Sequence, residues 1–197
     1  YYFMFDKLPI SSKTEKIFTK SLDEPISAED ANYLINIKGS DLYPLLATAD
    51  YLRQEIAGNN VTFINNCNIN FTNICTVRCG FCAFGKDADD PEAYILDDEA
   101  ILKKAQGAVD KGAHEFCVMG GVLPDADVEY YEHLLQLLKG EFPNIMIHGF
   151  SPTMIKDASV VSGISVEDAF ERLKSAGLDT LPGTAAEILT DRSREII

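Results

Sequence analysis

Three cysteines within eight residues are the side chains in this sequence most suited to chemistry. Cys75, Cys79 and Cys82 follow the spacing CxxxCxxC. Three thiolates on one loop can bind three irons of a 4Fe–4S cluster and leave the fourth iron without a protein ligand. Because an iron with an open coordination position can bind a reactant, the spacing predicts a catalytic cluster and not one that only stores electrons.

Zinc and disulfide chemistry fit this loop less well. A structural zinc site usually takes four ligands from two paired knuckles, and neither a His nor a fourth Cys belongs to this run. Ferredoxin-type runs also supply a fourth Cys, and disulfides are rare in cytosolic chains. The two other cysteines, Cys67 and Cys117, lie in strand-like sequence, so we predict that both are structural and that Cys117 serves packing.

The segments around the cysteines alternate between strand and helix patterns. Strand patterns lie at 61–73, 115–119, 145–148 and 178–181, and helical patterns at 97–111, 127–140, 153–162 and 166–176. This order predicts right-handed βαβ units and a parallel sheet. Four strands are too few to close a barrel. We therefore expect an α/β fold in which residues 61–197 form a partial (βα) TIM-like barrel without its C-terminal strands.

An N-terminal helical segment is predicted over residues 1–60. Ser27 precedes acidic first-turn residues and suits a helix cap, and a second helical pattern runs over 42–56 and ends at Gly58. The chain starts with Tyr and ends in a helical pattern without a stop signal. We expect a fragment of a longer protein.

Charge and hydropathy argue against several partners and locations for this chain. The 197 residues are 46% hydrophobic and carry a formal charge of −14, which disfavours binding to nucleic acid or to anionic membranes through bulk electrostatics. The sequence shows no apolar run long enough to span a bilayer and no secretory leader pattern. These features predict a cytoplasmic location.

The cysteine loop, with an aromatic residue before its last cysteine and a strand before its first, resembles that of the radical S-adenosylmethionine (SAM) superfamily. The resemblance implies two cofactors, a 4Fe–4S cluster held by the three cysteines and SAM bound through its amino and carboxylate groups to the open iron. The reduced cluster would cleave SAM to a 5′-deoxyadenosyl radical. The fold implied is a radical SAM barrel.

Further motifs are similar to the tyrosine-using subunit of FO synthase, which acts in deazaflavin (coenzyme F-420) biosynthesis. They lie at 68–75, 82–84, 120–121, 147–152 and 182–189. The resemblance implies transfer of the 4-hydroxybenzyl group of L-tyrosine to 5-amino-6-(D-ribitylamino)uracil. It also implies an electron donor such as flavodoxin or ferredoxin, and the second radical SAM subunit of FO synthase as a partner. Cys67, Met119 and Gly149 depart from the expected pattern, although none of them is a predicted cluster ligand.

The resemblance also implies residues that bind SAM or substrate, whereas no catalytic residue is assigned. Two glycines after the second strand would let backbone groups approach the aminoacyl end of SAM. The aromatic residue in the cysteine loop would meet the adenine and shield the cluster. The predicted cofactor-binding residues are Phe81, Gly120, Gly121, His148, Ser151, Thr184 and Glu187.

Two other functions stay open at this point. Enzymes of the futalosine route to menaquinone (cyclic dehypoxanthine futalosine synthase and aminofutalosine synthase) share the cysteine loop and the His-x-Phe-Ser-Pro segment, although they differ where this chain has the sequence 182–187. A non-catalytic iron–sulfur electron carrier would need a fourth thiolate. The sequence offers only Cys67 and Cys117 for that role.

Overall fold

A computed structural model describes residues 10–183 and 188–196, which divide into two compact units between Thr62 and Phe63. The described part of the first unit contains α1 (Ser12–Ser21), α2 (Ala28–Ile35), a 3-10 turn (Gly39–Asp41) and α3 (Leu42–Ala57). The second contains β1 (Asn66–Asn70), α4 (Asp98–Val109), β2 (Glu115–Met119), α5 (Val128–Glu141), β3 (Met146–Gly149), α6 (Pro152–Ser162), α7 (Val166–Ala176) and α8 (Asp191–Arg194). None of the described helices is long and apolar enough to cross a membrane.

The helices of the first unit begin and end at residues that satisfy free backbone groups. Ser27 caps α2 by accepting a hydrogen bond from the Asp30 N–H, and the Asp30 carboxylate accepts one from the Ser27 N–H. Gly58 ends α3 with φ 65°, a conformation that favours glycine. These two helices confirm the helical patterns predicted for this part of the chain. An earlier helix, α1, buries Ile17 and Phe18.

The second unit is built on a three-stranded parallel sheet with the order β1-β2-β3. Alternate residues of each strand, such as Ile69, Phe116 and Ile147, are buried in the hydrophobic core together with residues of α4 to α7. The strand residues between them lie on the opposite face of the sheet, because side chains alternate along a strand. The strand–helix alternation predicted from the sequence is confirmed.

The fourth predicted strand is present only as one bridge. Thr180 pairs with His148, and no strand is assigned at 178–181. The Asp179 carboxylate accepts hydrogen bonds from the Ile147 N–H and from Lys139 Nζ, both at 2.7 Å. Since this side chain takes the Ile147 N–H that a neighbouring strand would use, the backbone bonds to β3 are limited to those of Asp179 and Thr180.

The β-rich segment at 61–64 also lies outside the sheet. Val61 and Phe63 are exposed, and β1 begins at Asn66. The first backbone hydrogen bond between this region and the residues that lead into β2 joins the His114 N–H to the Asn65 carbonyl. A strand forms here only where a neighbouring strand is present to pair with it, although β propensity alone favours an earlier start.

Candidate metal centre

The cysteine loop is closed at its base by backbone hydrogen bonds. The Cys75 N–H donates to the Lys86 carbonyl at 3.0 Å, and the Lys86 N–H donates to the Asn73 carbonyl at 2.8 Å. Cys79 and Cys82 lie between these two ends, where the Cys82 N–H donates to the Cys79 carbonyl at 3.0 Å. All three cysteines are therefore on one loop, which begins just beyond the carboxyl end of β1.

Residues 86–96, here called the strap, are held against the segment that leads into the loop. Asn73, which is 6% exposed, donates from Nδ2 to the Glu92 carbonyl and accepts from the Tyr94 N–H, both at 2.8 Å. Thr72 is fully buried, and its hydroxyl donates to the Tyr94 carbonyl at 2.8 Å. Buried polar side chains need such partners. These bonds fix the residues immediately before the first cysteine.

The segment after β2 holds the other side of the loop. The Gly121 N–H donates to the Thr72 carbonyl at 3.0 Å, and the Thr76 N–H donates to the Val122 carbonyl at 2.9 Å. A Cβ added at Gly121 would lie 2.0 Å from the Ile74 carbonyl oxygen. Glycine is required here for the loop and β2 to pack together. Gly121 therefore has a packing role in addition to the role in SAM binding that was predicted for Gly120 and Gly121.

The three thiols fit a cluster by their number and chemistry. All five described cysteines are free; Cys75 and Cys79 are half-buried, and Cys82 is exposed. Within residues 10–183 and 188–196, no group of three or more His, Cys, Asp or Glu side chains is gathered closely enough to hold a metal ion. The three cysteine sulfurs are thus carried by one loop whose base is fixed by hydrogen bonds. They do not lie close together around a common point.

Both cations of this region are paired with acids. Arg78 has φ 54°, in the left-handed region, and its guanidinium lies 3.0 Å from the Asp87 carboxylate. Lys86 Nζ bonds Glu92 at 2.6 Å and lies 3.6 Å from Asp90. The hydrogen bond that Lys86 donates to Glu92 raises the pKa of Lys86 above its ordinary value. The Lys86 backbone also closes the cysteine loop through its bonds to Cys75 and Asn73.

The other predicted residues are placed as follows. Phe81 is 66% exposed, between the last two cysteines. His148 is half-buried on β3, and its Nδ1 lies 2.7 Å from the Thr180 hydroxyl. Ser151 is buried and caps α6 by accepting from the Met154 N–H at 3.2 Å. Thr184 and Glu187 lie outside the described residues.

One further residue at this end of β3 carries backbone strain. Phe150 has φ 63° and is fully buried, with its ring centroid 4.7 Å from that of Tyr131. Its N–H donates to the Val118 carbonyl at 2.9 Å. A left-handed conformation in a bulky residue is uncommon and is often found at functional sites. It turns the chain between His148 and Ser151.

Sequence reasoning missed Asn73, Thr72 and the Lys86 backbone. Asn73 and Thr72 both belong to the strand pattern at 61–73 and to the motif at 68–75, neither of which assigns them a role at the loop. The signal that could have found them is that polar residues next to a buried strand end need partners, which the strap supplies. Cys117 is also placed differently from the prediction: it is half-buried on the sheet face opposite the helices, next to His148 in the register.

A family model described as the radical SAM superfamily matches residues 69–197. The chain belongs to the radical SAM superfamily. The match covers the cysteine loop, the three βα steps and the segment beyond them. Among solved structures, the [FeFe]-hydrogenase maturase HydG resembles this radical SAM chain with a TM-score of 0.66 at 18% identity, over 86% of this chain and 36% of HydG. HydG from Carboxydothermus hydrogenoformans gives 0.59 at 17% identity, over 86% of this chain and 47% of HydG. These likenesses confirm the partial TIM-like fold.

Curated relatives of this radical SAM chain include proteins named 5-amino-6-(D-ribitylamino)uracil–L-tyrosine 4-hydroxyphenyl transferase. The protein from Methanothermobacter thermautotrophicus is 47% identical over 95% of this chain and 51% of its own length. That from Methanopyrus kandleri is 45% identical over 79% of this chain and 42% of its length, and that from Nostoc sp. is 42% identical over 89% and 46%. The chain spans about half the length of the curated relatives it matches.

Proposed function

We propose that this protein transfers the 4-hydroxybenzyl group of L-tyrosine to 5-amino-6-(D-ribitylamino)uracil as a radical SAM enzyme. The observation that carries the proposal is 47% identity over 95% of the chain to a transferase of that name. The matched stretch, 95% of this chain, is long enough to include the loop of Cys75, Cys79 and Cys82. The same match supports deazaflavin synthesis over the futalosine enzymes considered above.

Cys75, Cys79 and Cys82 would hold a 4Fe–4S cluster. When bound, the reduced cluster and SAM supply the carbon radical that starts the reaction. The hydrogen bonds at Asn73 and Lys86 fix the position of Cys75, and the glycine at 121 lets β2 approach the loop. Neither remaining cysteine lies on the loop: Cys67 packs against the core from β1, and Cys117 is in β2. This supports a cluster with three protein ligands and an open iron over an electron carrier.

SAM would lie at the carboxyl ends of the strands, where parallel α/β barrels place their ligands. The backbone of Gly120 and Gly121 is beside the cysteine loop, which suits contact with the aminoacyl end of SAM. Phe81 is exposed on that loop and available to cover the adenine. His148 is held by Thr180. Ser151 caps α6 through its oxygen and retains a hydroxyl proton to donate.

Thr184 and Glu187 are proposed to contact the SAM ribose or the amine of the substrate. We place the reaction in the cytoplasm, because the three thiols need a reducing compartment. The cluster needs an external electron, for which flavodoxin or ferredoxin is the proposed donor. The second radical SAM subunit of FO synthase is the proposed partner that uses the product.

The test is a comparison of two substrate sets. Protein expressed from the full-length gene is reconstituted anaerobically and incubated with SAM and reductant. One mixture contains tyrosine and the ribitylaminouracil, and the other contains the futalosine substrate. We expect a hydroxybenzyl adduct of the uracil in the first mixture and no product in the second. A product only from the futalosine substrate would refute the proposal.

A further inference from the structure

The sheet face opposite the helices carries a set of polar side chains in register. Along β1 this face presents Asn66, Asn68 and Asn70. In the next strand, Cys117 is level with Asn68, and on β3 His148 is level with Cys117. The helix-facing residues between them are fully apolar, so the polarity of this face is not a general feature of the strands.

Most of the hydrogen-bonding capacity of this face is unused. In the described part of the chain, the side-chain amides of Asn68 and Asn70 make no hydrogen bond. Asn68 is exposed, Asn70 is half-buried, and the two are on one strand at positions i and i+2. Two residues along a strand span roughly 6.6 Å, so the two amides are spaced to reach different hydroxyl groups of one short extended chain.

The charge of this face restricts what can bind to it. Among its described residues there is no Lys or Arg, and its one carboxylate belongs to Glu115, which is 6% exposed and lies 3.5 Å from Asn66 Nδ2. A bound anion would lose its hydration without gaining a positive partner and would be repelled by Glu115. The face therefore suits a neutral ligand rich in hydroxyl, amino and carbonyl groups.

We propose that Asn68 and Asn70 are specificity-determining residues that bind the polyhydroxylated ribityl chain of the aminouracil. This inference rests on the function proposed above. Of the two substrates, the ribitylaminouracil is neutral and carries hydroxyls along a five-carbon chain, whereas tyrosine carries a carboxylate that this face does not neutralise. The Glu115 carboxylate, with no Lys or Arg among the described residues of this face, also favours a ribityl chain with free hydroxyls over the phosphate ester of that chain.

The first test measures dissociation constants by calorimetry on cluster-loaded protein at full gene length, with the ribitylaminouracil and with tyrosine as separate probes. Asn68→Ala and Asn70→Ala are each expected to weaken aminouracil binding about tenfold, near the upper end of the effect of losing one hydrogen bond, and to leave tyrosine binding unchanged. Asn144→Ala, an exposed asparagine before β3, is the control and should change neither constant.

The second test uses the phosphate ester of the ribityl chain as the probe. Wild-type protein is expected to bind it at least tenfold more weakly than the free alcohol, and Glu115→Gln, checked for an unchanged melting temperature, is expected to reduce that difference. Equal binding of the ester, a loss of tyrosine affinity in the asparagine variants, or no change in either constant would overturn this inference alone. Wild-type protein that binds neither substrate would overturn the proposed function and this inference with it.

Discussion

Gly121 and Ile74 approach so closely that a methyl group at residue 121 would lie 2.0 Å from the Ile74 carbonyl oxygen and 2.8 Å from Cys75 Cβ. The contact joins the end of β2 to the residue directly before the first cysteine. Because the two nearest atoms, the Ile74 carbonyl oxygen and carbon, belong to the backbone, they cannot move aside as a flexible side chain would. The cysteine loop and the sheet are thereby fixed to each other at one point.

Gly121→Ala is therefore expected to displace the base of the loop and to lower iron content after reconstitution by more than half. The matched control is Gly140→Ala in α5, where an added Cβ meets nothing within 4 Å, and where alanine is expected to raise stability by about 0.5–1 kcal/mol. Iron analysis and thermal melts of both variants make the measurement. Normal iron content in Gly121→Ala would contradict the close contact.

Asn73→Ala is expected to reduce cluster content and to alter the electron paramagnetic resonance spectrum of the reduced cluster, because the strap would no longer fix the residues before Cys75. Asn65→Ala provides the control. The Asn65 side chain also makes two hydrogen bonds to the backbone, from Nδ2 to the carbonyls of Lys111 and Gly112, but outside the loop. Both variants lose two hydrogen bonds, so a similar spectrum in the two would show that Asn73 has only a structural role.

The five cysteines are expected to separate into two groups. Cys75→Ala, Cys79→Ala and Cys82→Ala should each abolish SAM cleavage, because each removes one of three ligands. Cys67→Ser and Cys117→Ala should keep about four irons per chain, and Cys117→Ala should cost about 1 kcal/mol of stability, a typical value for a point mutation. Loss of iron from a folded Cys67→Ser or Cys117→Ala protein would mean that the ligand set is wrong.

Asp179 predicts a pH dependence of stability. Burial raises the pKa of its carboxyl, but the hydrogen bonds from Lys139 and from the Ile147 N–H outweigh burial and hold the pKa below its ordinary value of 3.8. A lowered pKa in the folded state stabilises the protein above pH 3.8, and this contribution is lost as the pH falls through the folded-state value.

Asp179→Asn should accordingly be less stable than wild type at pH 7, and the difference should narrow below pH 3.8. Urea unfolding at a series of pH values measures this. Glu171→Gln, an exposed acid on α7 whose Lys174 partner is 4.0 Å away, is the control. A stability difference for Asp179→Asn that does not change with pH would contradict the ion pair.

The sequence predicted those features that depend on local pattern. The predicted bounds of β2 and α7 match the structure. An apolar run marks β2, and a capping Ser165 and a terminal Gly177 mark α7, and all of these signals are local in sequence. The fourth strand predicted at 178–181 is limited to the backbone bonds of Asp179 and Thr180, because the Asp179 side chain takes the Ile147 N–H. No local signal reveals such competition between residues 32 positions apart.

At the site, spacing alone identified the three cysteines, since metal ligands on one loop are near in sequence. The strap could not be predicted in this way. Asn73 meets Glu92 and Tyr94 only after the chain has folded back over some twenty residues. The polar face of the sheet was also missed, because it depends on the register between strands.

The proposed transfer of the hydroxybenzyl group is tested most directly by following an isotope label from tyrosine into the product. Anaerobic protein at full gene length, with SAM, reductant and the ribitylaminouracil, is given tyrosine labelled with carbon-13 in its ring, and the products are analysed by mass spectrometry. We expect a uracil adduct that carries all of the labelled ring carbons, and none of that adduct with the Cys79→Ala protein. An adduct formed equally by Cys79→Ala, or no label in any uracil product of the wild-type protein, would contradict the proposed transfer.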